Sequence, residues 1–167
     1  MSTTAIASSE LTDLLAVLAR ARGFLRHTVR GLTDEQARLT PTASQLSLGG
    51  LIKHVRAVEE SWLRFAVGGA ELMESVEADW ENGFRMLAHE TLDGLLADYA
   101  ETAATTERTL AGLDLDTAHP LPVAPWFEAG ASWSVRTVVL HVIAETSQHS
   151  GHADIIRETI DGQKTMG

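Results

Sequence analysis

Residues 133–162 read WSVRTVVLHVIAETSQHSGHADIIRETIDG. Val135, Val138, Val142, Ile156 and Ile160 recur at three- and four-residue steps, the period of one helical face. The spacing predicts a helix over residues 134–161, closed by Gly162, because glycine tolerates the left-handed backbone that ends helices. The same face carries an unusual polar string. With His141 as zero and 100° per residue, Glu145 falls near 40°, His149 near 80° and His152 near 20°, while the apolar residues fall at about 60–100°. His149 therefore sits in the middle of the apolar stripe, Glu145 one turn below it, and His141 and His152 towards the edge.

Upstream, three more segments carry a helical period. Leu11, Leu14, Leu15, Leu18, Leu25 and Val29 predict a helix over residues 9–30, stopped by Gly31. A short polar helix over 33–38, capped by Thr33, is expected before Pro41. Leu48, Leu51, Val55, Val58, Trp62 and Ala66 predict a helix over 47–67, which Gly68 and Gly69 are expected to end. Residues 70–89 hold Trp80, Phe84 and Leu87 without a clean period and are expected to connect, with some helix. Leu92, Leu95, Leu96, Tyr99, Ala103 and Leu110 predict a helix over 91–111 before Gly112. Residues 113–131 follow as a long loop with Pro120, Pro122, Pro125 and the pair Trp126-Phe127; loops of that length in compact domains often carry function. No stretch alternates with period two long enough to build a sheet. The expected fold is all-α, an antiparallel four-helix bundle forming a single domain over 1–167.

Composition narrows the function. The chain has 167 residues, enough for one sizeable core. No apolar run is long enough to span a bilayer. Residues 1–10 lack the basic start and apolar stretch of a secretory signal, so the expected location is the cytoplasm. Thirteen Lys and Arg against 23 Asp and Glu give a formal net charge of −10, which would repel a nucleic-acid backbone. Arg20, Arg22, Arg26 and Arg30 cluster on the first helix and are expected to form a solvated face. There is no cysteine, so no disulfide, thiolate ligand or cysteine nucleophile. If sulfur chemistry occurs, the thiol arrives on a small molecule.

An imidazole and a carboxylate facing a core need partners. A hydrogen bond between Glu145 and His149 would satisfy both. So would a divalent metal, because ligands at i and i+4 reach one point above a helix. His54 lies on the apolar side of the second helix, one turn from Leu51 and Val58, and is the candidate third ligand across the bundle. Three protein ligands leave positions open, the pattern of a catalytic rather than a structural site. His152 could replace Glu145 as ligand or act behind His149. Gln148 and Asp154 are expected in supporting or surface positions, and His27, His89 and His119 lack a spacing partner.

Two stretches carry a family resemblance. Residues 44–63, SQLSLGGLIKHVRAVEESWL, contain the pattern SLGGL-x-x-H, and residues 145–152 contain E-x-x-x-H-x-G-H. Together they resemble the DinB-like superfamily, in its actinobacterial branch of mycothiol-dependent S-transferases, over nearly the whole chain. The resemblance implies a four-helix bundle, often a homodimer. It implies a metal held by a helix-two His and two helix-four ligands one turn apart, here His54, Glu145 and His149. Relatives often carry His at the Glu145 position, whereas the mycothiol-dependent maleylpyruvate isomerase type also has Glu. Zinc is the expected metal, and nickel and iron accept the same donors.

The implied function is metal-dependent S-transfer. The metal holds the sulfur of mycothiol as thiolate, which attacks a small-molecule electrophile. Arg157 is a candidate contact for an anionic substrate and Trp126 for an apolar one, while Trp62 and Trp133 are expected mainly to pack. The alternatives are metal-dependent hydrolysis at the same ligands and a non-catalytic, stress-related metal-binding module. Neither nucleic acid nor membrane is an expected partner.

Overall fold

A computed structural model describes residues 9–77, 79 and 81–165. Trp80 and residues 1–8, including most of the stretch inspected for a signal, lie outside the described residues. The described helices are α1 (Ser9–Thr28), α2 (Asp34–Arg38), α3 (Leu48–Glu74), α4 (Leu92–Leu110) and α5 (Val135–Asp161). Each start has a side-chain cap where the sequence offers one. Thr33 and Gln36 form a reciprocal capping box, and Ser47, Thr91 and Ser134 accept from the backbone three residues on. At its far end α5 closes on Gly162 in the left-handed conformation, φ 76°.

Two segments depart from the sequence reading. Gly68 and Gly69 do leave helical geometry, with φ/ψ of −143°/17° and 71°/−162°, but they kink α3 rather than end it. The turn beyond them continues to Glu74 and packs Met73 against the core. Within the long 113–131 loop, β1 (Ala118–Pro120) pairs antiparallel with β2 (Ser132–Ser134), setting His119 opposite Trp133. Strands of three residues are too short to leave an alternating pattern.

α1 and α5 run parallel, since Glu10 meets Arg136, Ala21 meets Ser150 and Thr28 meets Arg157 in step. α3 and α4 also run together. Leu51 shares one core cluster with Leu92 and Leu95, and Phe65 shares the other with Leu110. The two pairs oppose each other: α3 meets α5 at His54–His149 and at Trp62–His141. The connection over 75–91 gives the chain the length to return along the bundle, as the parallel α3 and α4 require, whereas 111–134 joins α4 to α5 at one end, where Leu110 and Val135 share a core cluster. The result is an all-α bundle, antiparallel between its pairs.

One polar group crosses the core. Arg20, Arg26 and Arg30 are exposed, but Arg22 is buried, so the solvated-face expectation fails there. Its Nε and Nη2 donate to the two oxygens of Glu59 at 3.1 and 2.5 Å, and Thr106 donates to the same carboxylate at 2.6 Å. An isolated buried guanidinium would be prohibitively costly; a fork matched to a carboxylate is the geometry that tolerates burial. Among the described residues no helix is long and apolar enough to cross a membrane.

Candidate metal centre

Near the middle of α5, the apolar face turns polar where it meets α3. His149 is buried, while Glu145 and His54 are half-buried. His149 Nε2 stands 3.5 Å from Glu145 Oε2. The rings of His54 and His149 meet edge to face, 4.8 Å between centroids. One ligand atom from each of His54, Glu145 and His149 lies within 4.8 Å of the others. Two donors on one ion at about 2.1 Å each stand no more than about 4.2 Å apart, so closing this spread takes about half an ångström of side-chain rotation. Two imidazoles and a carboxylate form a donor set that zinc, nickel and iron accept, so the residues fit a divalent metal.

Electrostatics keep the imidazoles in their ligand form. Burial, and secondarily the neighbouring His149, push the His54 pKa from the usual 6.5 to about 4. Burial also lowers that of His149, with Glu145 opposing and His152 adding to the effect. Both are therefore neutral at pH 7, as metal coordination requires. A stability prediction follows for the metal-free protein. Above pH 6.5 His54 is neutral in both folded and unfolded chains. Between 6.5 and about 4 the unfolded chain takes up a proton that the folded His54 refuses, so stability falls as pH falls through that window. Urea midpoints at pH 7.5 and 4.5 should show a smaller acid loss for His54→Asn than for the parent; equal losses would refute it.

Phe84 is a part of the site that sequence reading missed. Its ring stacks on His54 at 3.7 Å and 19°. The segment bearing it is fastened to α3: Lys53 pairs with Glu90 at 2.8 Å and donates to the Arg85 carbonyl, and Met86 is buried. Here the glycines of SLGGL find their reason. A Cβ on Gly50 would overlap the Phe84 carbonyl, and one on Gly49 would run into Met86. Gly50→Ala should therefore displace the Phe84 segment. Helical content should hold while metal affinity drops by about 10–100-fold, the usual cost of losing an outer partner. Phe84→Ala should reproduce the drop in a metal-competition titration, and undiminished affinity in both variants would contradict the role.

The remaining sequence candidates fall out as follows. His152 lies behind His149, Nδ1 to Nδ1 at 3.3 Å, and is not in the converged group. His141 sits against both Trp62 and Trp133, and Gln148 is exposed. Asp154 accepts from the backbone and hydroxyl of Thr165. His27 meets Arg30, His89 is exposed, and His119 packs against Phe65. Trp126 is 72% exposed. Arg157 is not free to meet a substrate: it is buried, it donates to the carbonyls of Thr28 and Arg30, and it pairs with Asp161 and Gln163. Its guanidinium ties α5 to the end of α1, which corrects the substrate role expected for it.

The family model described as Mycothiol-S-transferase matches residues 13–162. The chain belongs to the mycothiol-S-transferase family, which is DinB-like. That span contains all of α2–α5 and each member of the His54–Glu145–His149 group. Among solved structures, the crystal structure titled as a conserved protein from Enterococcus faecalis is similar, with 17% identity and a TM-score of 0.67. The match covers 94% of this chain and 100% of that one, and at this identity it shows the shared fold alone. No curated protein matches the chain.

Proposed function

We propose that this mycothiol-S-transferase family member conjugates mycothiol, or a thiol of that type, to a small-molecule electrophile with a divalent metal held by His54, Glu145 and His149. The observation that carries the reading is the convergence of these three donors across the α3–α5 contact. The chain has no cysteine, so the nucleophilic sulfur must belong to the co-substrate.

A metal at the position these donors share would supply the Lewis acidity that favours the thiolate form of the co-substrate's thiol. The protein's own groups set that position. His54 and His149 offer neutral nitrogens, Glu145 offers negative charge, and Phe84 fixes the His54 ring and keeps water from one side of it. His152 contacts the Nδ1 of His149 and so orients the ring, the usual work of an outer partner. That placement favours an open three-ligand site over the closed four-ligand site of a non-catalytic module. Zinc is the proposed metal.

Elemental analysis of the purified protein, then conjugation assays with the metal-loaded protein with and without mycothiol, test the reading. Product that carries sulfur and depends on thiol is expected. Thiol-independent consumption of an ester or epoxide would favour hydrolysis at the same ligands. We further propose a single DinB-like domain over 1–167, a cytoplasmic location and a homodimer. Sedimentation at micromolar concentration should show a dimer, and monomer alone would refute it.

A further inference from the structure

Aromatic residues are scarce in this chain, with four Trp, four Phe and one Tyr. Three of the Trp and two of the Phe gather in one place, beside the metal-centre residues, with Phe65 meeting Trp62 at 5.3 Å. His141 lies one turn below Glu145 on α5 and feels its charge. Its ring stands 4.8 Å from Trp62 and 5.1 Å from Trp133. The two indoles stack at 4.7 Å and 22°. Phe127 meets Trp133 edge-on at 5.8 Å, and Trp126 meets Phe127 at 6.1 Å. A continuous run of rings therefore leads from Glu145 to an indole that is 72% exposed.

We propose that this ring face binds the electrophile and selects a planar aromatic one. Core packing accounts for Trp62, which is buried against Phe65, but not for Trp126. Burial would favour a covered Trp126, yet the loop presents it at the outer end of the run. Edge and face contacts favour a flat π-system over a saturated group of equal size.

The inference rests on the thiol-transfer reading for the reaction that follows binding. With an aryl epoxide, the thiolate sulfur forms a C–S bond, the ring C–O bond breaks, and the oxygen ends as a hydroxyl carrying the proton the thiol gave up. No co-reactant beyond the thiol is needed.

The test uses the full chain with zinc and two unreactive probes, 2-naphthol and its saturated counterpart decahydro-2-naphthol. Indole N–H signals in ¹H–¹⁵N spectra report binding directly. Saturable shifts of the Trp126 and Trp133 signals with 2-naphthol are expected, with the saturated probe at least about fivefold weaker. Trp126→Ala should weaken 2-naphthol binding by a similar factor. Because Trp126 is exposed, this variant keeps the test valid if Trp133→Leu fails to fold. His149→Ala should lose metal and thiol transfer but keep 2-naphthol binding, which separates failure of this proposal from failure of the catalytic reading. Equal affinity for the two probes, or binding unchanged in Trp126→Ala and Trp133→Leu, would overturn the inference.

Discussion

His149→Ala should abolish the proposed thiol transfer and lower metal affinity by more than about 100-fold, while leaving helical content nearly unchanged. The size follows from position. His149 is the buried member of the group, its Nε2 facing Glu145 and its ring edge-on to His54, so both other donors depend on it to close a shared site. Loss of an outer partner alone costs about 10–100-fold, and loss of a direct ligand exceeds that. Helix content holds because alanine is the best helix former and α5 keeps its apolar contacts on both sides, through Val142, Ala153 and Ile156. His152→Gln should stay within the outer-partner range, since His152 touches the far nitrogen of His149. Competition with a chromogenic chelator and far-UV circular dichroism check both variants. Parent-like metal binding by His149→Ala, or by the variant lacking all three donors, would end the metal reading.

Much of this site was legible in the sequence because it is written in helical spacing. Glu145 and His149 share a face by arithmetic, and that face is apolar, so the two side chains had to look inward at a partner. His54 needed more: periodicity placed it on the apolar side of α3, but only the resemblance of SLGGL-x-x-H named it as the residue opposite. Phe84 left no signal, because it reaches His54 from a connection with no period, along a path cleared by Gly50. Arg157 misled for the opposite reason. A lone cation on the last turns of α5 looks like a substrate contact until the end of α1 is seen to offer it two carbonyls. The kink at Gly68 and Gly69 was visible as a break but not as a bend, since the following turn is held by Met73 packing rather than by propensity.

Glu59→Ala should cost about 3–5 kcal/mol, a large part of the roughly 5–15 kcal/mol that holds a domain together. Arg22 and Glu59 are separated by 37 residues and both lie almost fully inside the bundle, Glu59 at 1% exposure. Removing the carboxylate strands the guanidinium. Its other carboxylate, Glu107, lies at 3.4 Å on an exposed side chain and cannot replace a two-pronged partner. Thr106 loses its acceptor as well. In a chain of this length the loss corresponds to a fall in Tm of roughly 6–20 °C. The paired substitution separates the cost of breaking the bridge from the worth of the bridge itself. Arg22→Met with Glu59→Leu should recover most of the stability, because well-packed apolar groups of similar volume often match a buried ion pair. Tyr99 gives a spectroscopic control. Burial, and next the Glu59 carboxylate, hold its hydroxyl protonated far above the usual range. Its alkaline titration should therefore shift downward in Glu59→Ala, which removes the carboxylate and leaves Arg22 in place, while metal affinity at His54, Glu145 and His149 stays at the parent value. A loss below about 1 kcal/mol for Glu59→Ala, the scale of exposed pairs, would show that the bridge is solvated in solution.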